Sequence, residues 1–215
     1  MTNPDVSLIA ALLDRSGSME SIADDTRGGF DAYIAGQRGQ SGTTLVTLAQ
    51  FDNDYDVVYQ NRAVDDVPRL ALEPRGTTAL LDAIGRFVIE VGSGLAALPE
   101  PDRPGDVTVL VMTDGHENSS LEWTKDAVRE LISQQETVYG WDFVFLGANM
   151  DAIDVGTDLG FAPGKSLTYD ASGAGVGGAF AAVAGYTSRK RSRGDRPAAS
   201  VVFDDADRQG AQGRR

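Results

Sequence analysis

The chain has 215 residues, enough for one domain of ordinary size with a substantial core. Hydrophobic residues make up 41% and charged residues 24%, and there is no cysteine, which excludes a disulfide scaffold, a thiolate zinc site and a cysteine nucleophile. The net charge of −13 is uneven: residues 189–215 carry eight Arg or Lys against four Asp, leaving 11 basic and 28 acidic side chains in residues 1–188, a balance of −17 that repels nucleic-acid backbones.

The start, MTNPDVSLIAALLDRSGSM, has no basic opening and no small-residue cleavage site, and its apolar run from Val6 to Leu13 is eight residues long. No stretch approaches the roughly 20 apolar residues that span a bilayer. These features predict a soluble, cytoplasmic protein without membrane contact.

Val6–Leu13 is a near-continuous apolar run, the mark of a strand buried on both faces. The loop DRSGSMES follows, and Phe30, Tyr33 and Ile34 then fall at helical spacing, predicting a helix over about 21–38. Thr43–Phe51 and Tyr55–Val64 read as strands separated by the turn Asp52-Asn53-Asp54, a spacing that requires an antiparallel hairpin. Leu80, Leu81, Ile84, Phe87, Val88, Val91 and Leu95 trace one face of a helix beginning near Ala79. Val107–Met112 is a second buried strand, after which Ser119 and Glu122 have capping-box spacing for a helix whose stripe is Val128, Leu131 and Ile132. Trp141–Leu146 is a strand, Ile153–Leu159 a short helix closed by Gly160, Ser166–Tyr169 a short edge strand, and Val176, Phe180, Val183 and Ala184 suit a last helix. The pattern predicts one domain over 1–188 and a basic, disordered tail over 189–215.

Alternating strands and helices indicate an α/β sandwich around a mainly parallel sheet, in which ligands bind at the carboxyl ends of the strands. Three polar segments fall at those ends: Asp14-Arg15-Ser16-Gly17-Ser18, Arg75-Gly76-Thr77-Thr78 and Thr113-Asp114-Gly115. They supply carboxylates and hydroxyls and no nitrogen or sulfur donor, a set suited to a hard cation such as Mg2+, which keeps several waters. Asp14 and Asp114 each end a strand. Gly17 and Gly115 read as residues that let the backbone turn, and Thr78 stands at a helix start. Thr77 competes with Thr78 for the middle position.

On LLDRSGSM, PRGTTALLDAIG and VLVMTDGHEN the chain resembles the von Willebrand factor A family, in its soluble bacterial and phage-type members, over roughly residues 5–170. The resemblance implies a Rossmann-like three-layer sandwich, with a central sheet of about six strands, one antiparallel edge strand, and helices on both faces. It also implies a metal-ion-dependent adhesion site. Asp14, Ser16 and Ser18 match the family's first cluster, Thr78 its threonine and Asp114 its second aspartate, holding Mg2+ with Mn2+ or Ca2+ as alternatives. Arg15, Gly17, Thr77, Gly115, His116 and Glu117 would form the rim. The implied partner is a protein presenting Asp or Glu to the ion, with binding coupled to movement of the last helix.

Other readings stand beside this one. DRSGS alone could be a helix-capping turn without metal. His116-Glu117 opens like a zinc-protease motif, but Ser120 stands where the second histidine belongs. Asp14 as a phosphoryl-transfer nucleophile lacks a second aspartate, since Ser16 occupies that place, and Lys125 and Lys165 are poorly positioned. A binding domain rather than an enzyme is therefore expected. The alternative is a metal-independent scaffold for a larger machine such as an AAA+ ATPase. The tail could contact nucleic acid weakly, and its Arg193-Gly194-Asp195 is too short to carry an adhesion reading.

Overall fold

The computed structural model describes residues 2–192 and 201–213. Its first strand, β1 (Asn3–Asp14), explains its own composition. Ile9, Ala11 and Leu13 enter one hydrophobic core and Leu8, Ala10 and Leu12 another. Both faces are covered, so the strand reads as a continuous apolar run.

β1 lies between β2 (Thr43–Phe51) and β4 (Pro104–Thr113) and is parallel to both. β5 (Asp142–Ala148) and β6 (Ser166–Tyr169) continue the parallel sheet beyond β4. β3 (Tyr55–Ala63) pairs antiparallel with β2 across the Asp52–Asp54 turn. The order is β3-β2-β1-β4-β5-β6, so the six-stranded sheet has one antiparallel edge.

Helices cover both faces. α1 (Ala23–Gln37), α5 (Gly173–Arg191) and α6 (Asp205–Ala211) contribute to the core containing Ile9. α2 (Leu80–Ala97), α3 (Lys125–Tyr139) and α4 (Ala152–Leu159) contribute to the core containing Leu8. Every residue of the stripe expected on α2, from Leu80 to Leu95, is buried. The fold is the expected three-layer α/β sandwich. Among the described residues no helix is long and apolar enough to cross a membrane.

Four local expectations are corrected. Helical structure begins at Gly17 as a 3-10 turn to Ile22 before α1, because Met19 and Ile22 are buried and draw the chain in early. Ser119 and Glu122 form no capping box. α3 starts at Lys125, capped by the Thr124 hydroxyl, which accepts from the Ala127 amide. Thr78 does not cap α2 either, since the N-cap is Ala79.

The tail, expected to be disordered from residue 189, is folded in large part. α5 runs past residue 188 to Arg191, because Lys190 is buried with its Nζ 2.9 Å from Asp106 and 3.3 Å from Asp142. Further on, Val201 and Phe203 are buried, and the Phe203 ring centroid is 5.4 Å from that of Tyr186. α6 follows with a reciprocal Asp204–Asp207 capping box. Arg189 pairs with Asp207 at 2.5 Å. Residues 189–192 and 201–213 are thus part of the folded body, held by two apolar anchors that the basic composition obscured. Residues 193–200 and 214–215, including Arg193-Gly194-Asp195, lie outside the described residues.

Phe203→Ala should cost about 3 kcal/mol of stability by removing a buried aromatic anchor, measured by urea unfolding. A loss below about 0.5 kcal/mol, the range of surface substitutions, would show that the segment contributes nothing to the core.

Candidate metal centre

The order of strands reverses between β1 and β4, and in such sheets the crevice at the carboxyl ends is the place for a ligand. Asp14 ends β1 and Thr113 ends the adjacent β4. The Thr113 hydroxyl donates to Asp14 Oδ2 at 2.6 Å, and the Ser16 amide donates to Asp14 Oδ1 at 2.6 Å. Asp14 has no exposed surface.

The 3-10 turn after Ser16 brings the two serine hydroxyls within 3.1 Å of each other. The Ser18 hydroxyl donates to Asp114 Oδ1 at 2.6 Å. Two backbone hydrogen bonds join this loop to the middle segment, from Arg75 N to Arg15 O (2.7 Å) and from Gly17 N to Gly76 O (3.2 Å). Gly76 has φ +69°, which glycine accepts without strain. Thr78 is clamped by Asn118: its amide donates to Asn118 Oδ1 (3.0 Å) and its carbonyl accepts from Asn118 N (3.1 Å).

The glycine roles differ from the sequence reading. Gly17 and Gly115 are not among the positive-φ residues. Gly115 matters for space, because a Cβ there would stand 3.0 Å from Thr78 Oγ1 and 3.5 Å from Ser18 Oγ. The missing side chain keeps open a cradle between the second and third segments. At Gly17 a Cβ would make only an ordinary 3.4 Å contact with Gly76 O.

Asp14, Ser16, Ser18, Thr78 and Asp114 thus come together, while Thr77 turns away and donates to Ser119 Oγ at 3.0 Å. The rim residues separate into two kinds. Gly115 borders the cradle, and Gly17 and His116 are exposed. Arg15 is buried, donating from Nε to Asp52 Oδ2 (2.8 Å) and from Nη2 to Asp56 Oδ2 (2.6 Å). Glu117 points inward as well, accepting from the amides of Leu81 (2.9 Å), Ser119 (2.9 Å) and Ser120 (2.7 Å) and from the Ser120 hydroxyl (2.7 Å). It therefore satisfies an amide at the start of α2 that no local side chain caps.

Sequence reasoning assigned no structural role to Thr113, Asn118, Asp82 or Asp52. Asp82 accepts from the amides of Leu121, Glu122 and Trp123, fixing the loop after β4. Thr113 was detectable as a hydroxyl on the strand end itself. The others act across loops, and no spacing in the sequence encodes that.

Burial pushes the Asp14 carboxyl up to about 6, against the hydrogen bonds from Thr113 and Ser16, and the charge of Asp114 adds a smaller push. Burial raises the Asp114 carboxyl too, opposed by the Ser18 hydrogen bond. Asp142, equally inaccessible, behaves oppositely. Burial again disfavours its charge, but Lys190 and Lys165 outweigh it and hold the carboxyl below the usual range. The Lys165 Nζ lies 2.5 Å from Asp142 Oδ1. Near Asp14 the arginines of the site loops are turned to Asp52: Arg75 Nε also donates to its Oδ2, at 2.8 Å.

The donor set fits a hard divalent cation. Among the described residues no group of three or more His, Cys, Asp or Glu side chains could hold a metal. Two carboxylates and three hydroxyls beside a cradle kept open by Gly115 suit an ion that retains water.

No protein-family model matches the chain, and no curated protein matches it. Solved structures do. Proximal thread matrix protein 1 from the mussel byssus, with a zinc-occupied MIDAS motif, matches with a TM-score of 0.60 and 15% identity over 85% of this chain and 48% of that one. A von Willebrand factor type A protein from Catenulispora acidiphila matches with a TM-score of 0.59 and 16% identity over 86% and 43% of the two chains.

The chain has the von Willebrand factor A fold.

A third structure with this fold, the pilus adhesin SpaC from Lactobacillus rhamnosus GG, matches with a TM-score of 0.59 and 16% identity over 86% of this chain and 30% of that one. The chain spans less than half the length of each of these three proteins. The von Willebrand factor A fold accounts for the place of the reversal in strand order and for the convergence of three loops upon it.

Glu117→Ala should leave three backbone amides without their acceptor. The expected cost is about 2 kcal/mol in a urea melt. Unchanged stability would mean that the loop after β4 is not held through this carboxylate.

Proposed function

We propose that the protein is a divalent-cation-dependent protein-binding domain in which Asp14, Ser16, Ser18, Thr78 and Asp114 hold Mg2+ and a partner protein contributes an aspartate or glutamate carboxylate. The observation that carries this reading is the meeting of these five side chains from three distant segments, with Gly115 leaving room between Thr78 and Ser18. When bound, the ion supplies a Lewis-acidic position that accepts a further carboxylate.

The chain's own residues prepare that position. Asp14 is fixed by Thr113 and by the Ser16 amide, so its carboxylate is oriented in advance. Ser16, Ser18 and Thr78 offer neutral oxygens. With only two carboxylates, the site leaves attraction for an anion from outside. His116 and Gly17 are exposed. Mn2+ suits the same oxygens, and Ca2+ would need more ligands at longer distances. The zinc-occupied motif of the byssal protein supports a divalent cation here, and the likeness to a pilus adhesin supports binding over catalysis. The chain's one histidine is exposed, which also argues against a serine-activating base at Ser16 or Ser18.

Calorimetric titration with Mg2+ should give one saturable site in the wild type, weakened at least about tenfold in Asp14→Ala, since a primary ligand is worth no less than a supporting one. Acetate, used as a carboxylate probe, should shift the amide resonances of Ser16, Ser18, Thr78 and Gly115 in Mg2+ and not in EDTA. No saturable heat, or an acetate response indifferent to chelation, would overturn the proposal.

A further inference from the structure

Asp52 lies in the turn between β2 and β3, outside the five candidate ligands, and is fully buried. Its Oδ2 accepts from Arg15 Nε and Arg75 Nε, both at 2.8 Å, and its Oδ1 accepts from the Asp54 amide at 2.6 Å. Its backbone carbonyl accepts from Ala79 N at 2.9 Å, and its amide donates to Asp54 O at 2.9 Å. One residue thereby reaches the loop after β1, the segment before α2, and the entry to α2 itself.

We propose that Asp52 is the positioning residue of the cation site: it locks the two hydroxyl-bearing loops together and neutralises the arginines within them. The inference rests on the reading of Asp14, Ser16, Ser18, Thr78 and Asp114 as a cation site. Arg15 stands between two of those residues in sequence, and Arg75 is three residues before Thr78. Each carries a positive charge into a loop that would approach a dication. Arg15 is 8% exposed, so solvent does little to screen it. Asp52, helped by Asp56 at 2.6 Å from Arg15 Nη2, holds that charge in an ion pair. Arg75 is more open, with its Nη2 3.9 Å from Asp54 and 3.8 Å from Asp56, yet its Nε shares the same buried oxygen as Arg15.

The geometry matters as much as the charge. Ser16 and Ser18 follow directly from Arg15, and Thr78 follows from Arg75 and precedes Ala79. Bonds from Asp52 to Arg75 and Ala79 therefore bracket Thr78, and its bond to Arg15 holds the residue directly before Ser16. A ligand set loosened by about an ångström loses the preorganisation that gives it affinity. Supporting residues of this kind typically change metal affinity by about 10–100-fold when removed.

The test uses the full chain in two measurements. In metal-free protein, hydrogen exchange at the Gly17 and Ala79 amides should speed up in Asp52→Ala. It should not do so in Leu95→Ala, a core variant at the far end of α2 that lowers the melting temperature without touching these loops. In Mg2+ calorimetry, at a temperature where all variants are folded, Asp52→Ala should bind at least about tenfold more weakly than wild type. Asp52→Asn, which keeps an acceptor but loses the charge, should be intermediate and more salt-sensitive, while Leu95→Ala keeps wild-type affinity. If Asp52→Ala does not fold, Asp52→Asn decides. Wild-type affinity and exchange in the Asp52 variants would overturn the inference, as would an equal loss of affinity in Leu95→Ala. Absence of Mg2+ binding in the wild type would instead remove the cation reading, and the exchange rates would still decide whether Asp52 orders the loops.

Discussion

Asp14 and Asp114 are two carboxylates brought into a water-poor crevice at the ends of neighbouring parallel strands, with hydroxyls rather than cations as their nearest partners. Burial disfavours the charge on both. Asp142, at the start of β5, shows what the same fold does when a buried carboxylate is structural, since two lysines and the Tyr186 hydroxyl surround it. The contrast within one molecule gives the Asp14 site its character. Positive charge is provided for the buried Asp142 and Asp52 and withheld from Asp14 and Asp114.

Much of the surrounding loop structure is fixed by residues outside the five candidate ligands. Asn118 holds the Thr78 backbone and leaves its hydroxyl free of that task. Glu117 and Asp82 take up the amides of the loop after β4 and the start of α2. The twin cores above and below the sheet anchor β1 and β4 on both faces, and the parallel pairing sets the strand ends that present Asp14 and Thr113 side by side. The C-terminal segment adds to one of those cores through Val201, Phe203 and Ala211, tying the last helices to the same sheet.

Much of this was legible in the sequence, for identifiable reasons. The run Val6–Leu13 announced a strand covered on both sides, and the three-residue spacing before Tyr55 required an antiparallel edge. Asp14, Ser16 and Ser18 were recognisable because their spacing is local and follows a buried strand. The missed residues share the opposite property. Asp52 read as a turn signal, and its bonds to Arg15 and Arg75 span 37 and 23 residues. Glu117 read as a rim residue, because nothing in His-Glu-Asn reveals that its carboxylate turns to the Leu81 amide 36 residues away. The basic composition after residue 188 suggested disorder, whereas two apolar side chains and a capping box sufficed to order residues 201–213.

In the proposed function, side-chain oxygens of five residues from three segments make one cation site. Anomalous diffraction from crystals grown with manganese chloride would locate the ion, because manganese scatters anomalously and takes the same oxygen donors. A single strong anomalous peak enclosed by Asp14, Ser16, Ser18, Thr78 and Asp114 is expected. A manganese-rich crystal with no peak there, or with its strongest peak elsewhere on the acidic surface, would rule out a cation site at these residues.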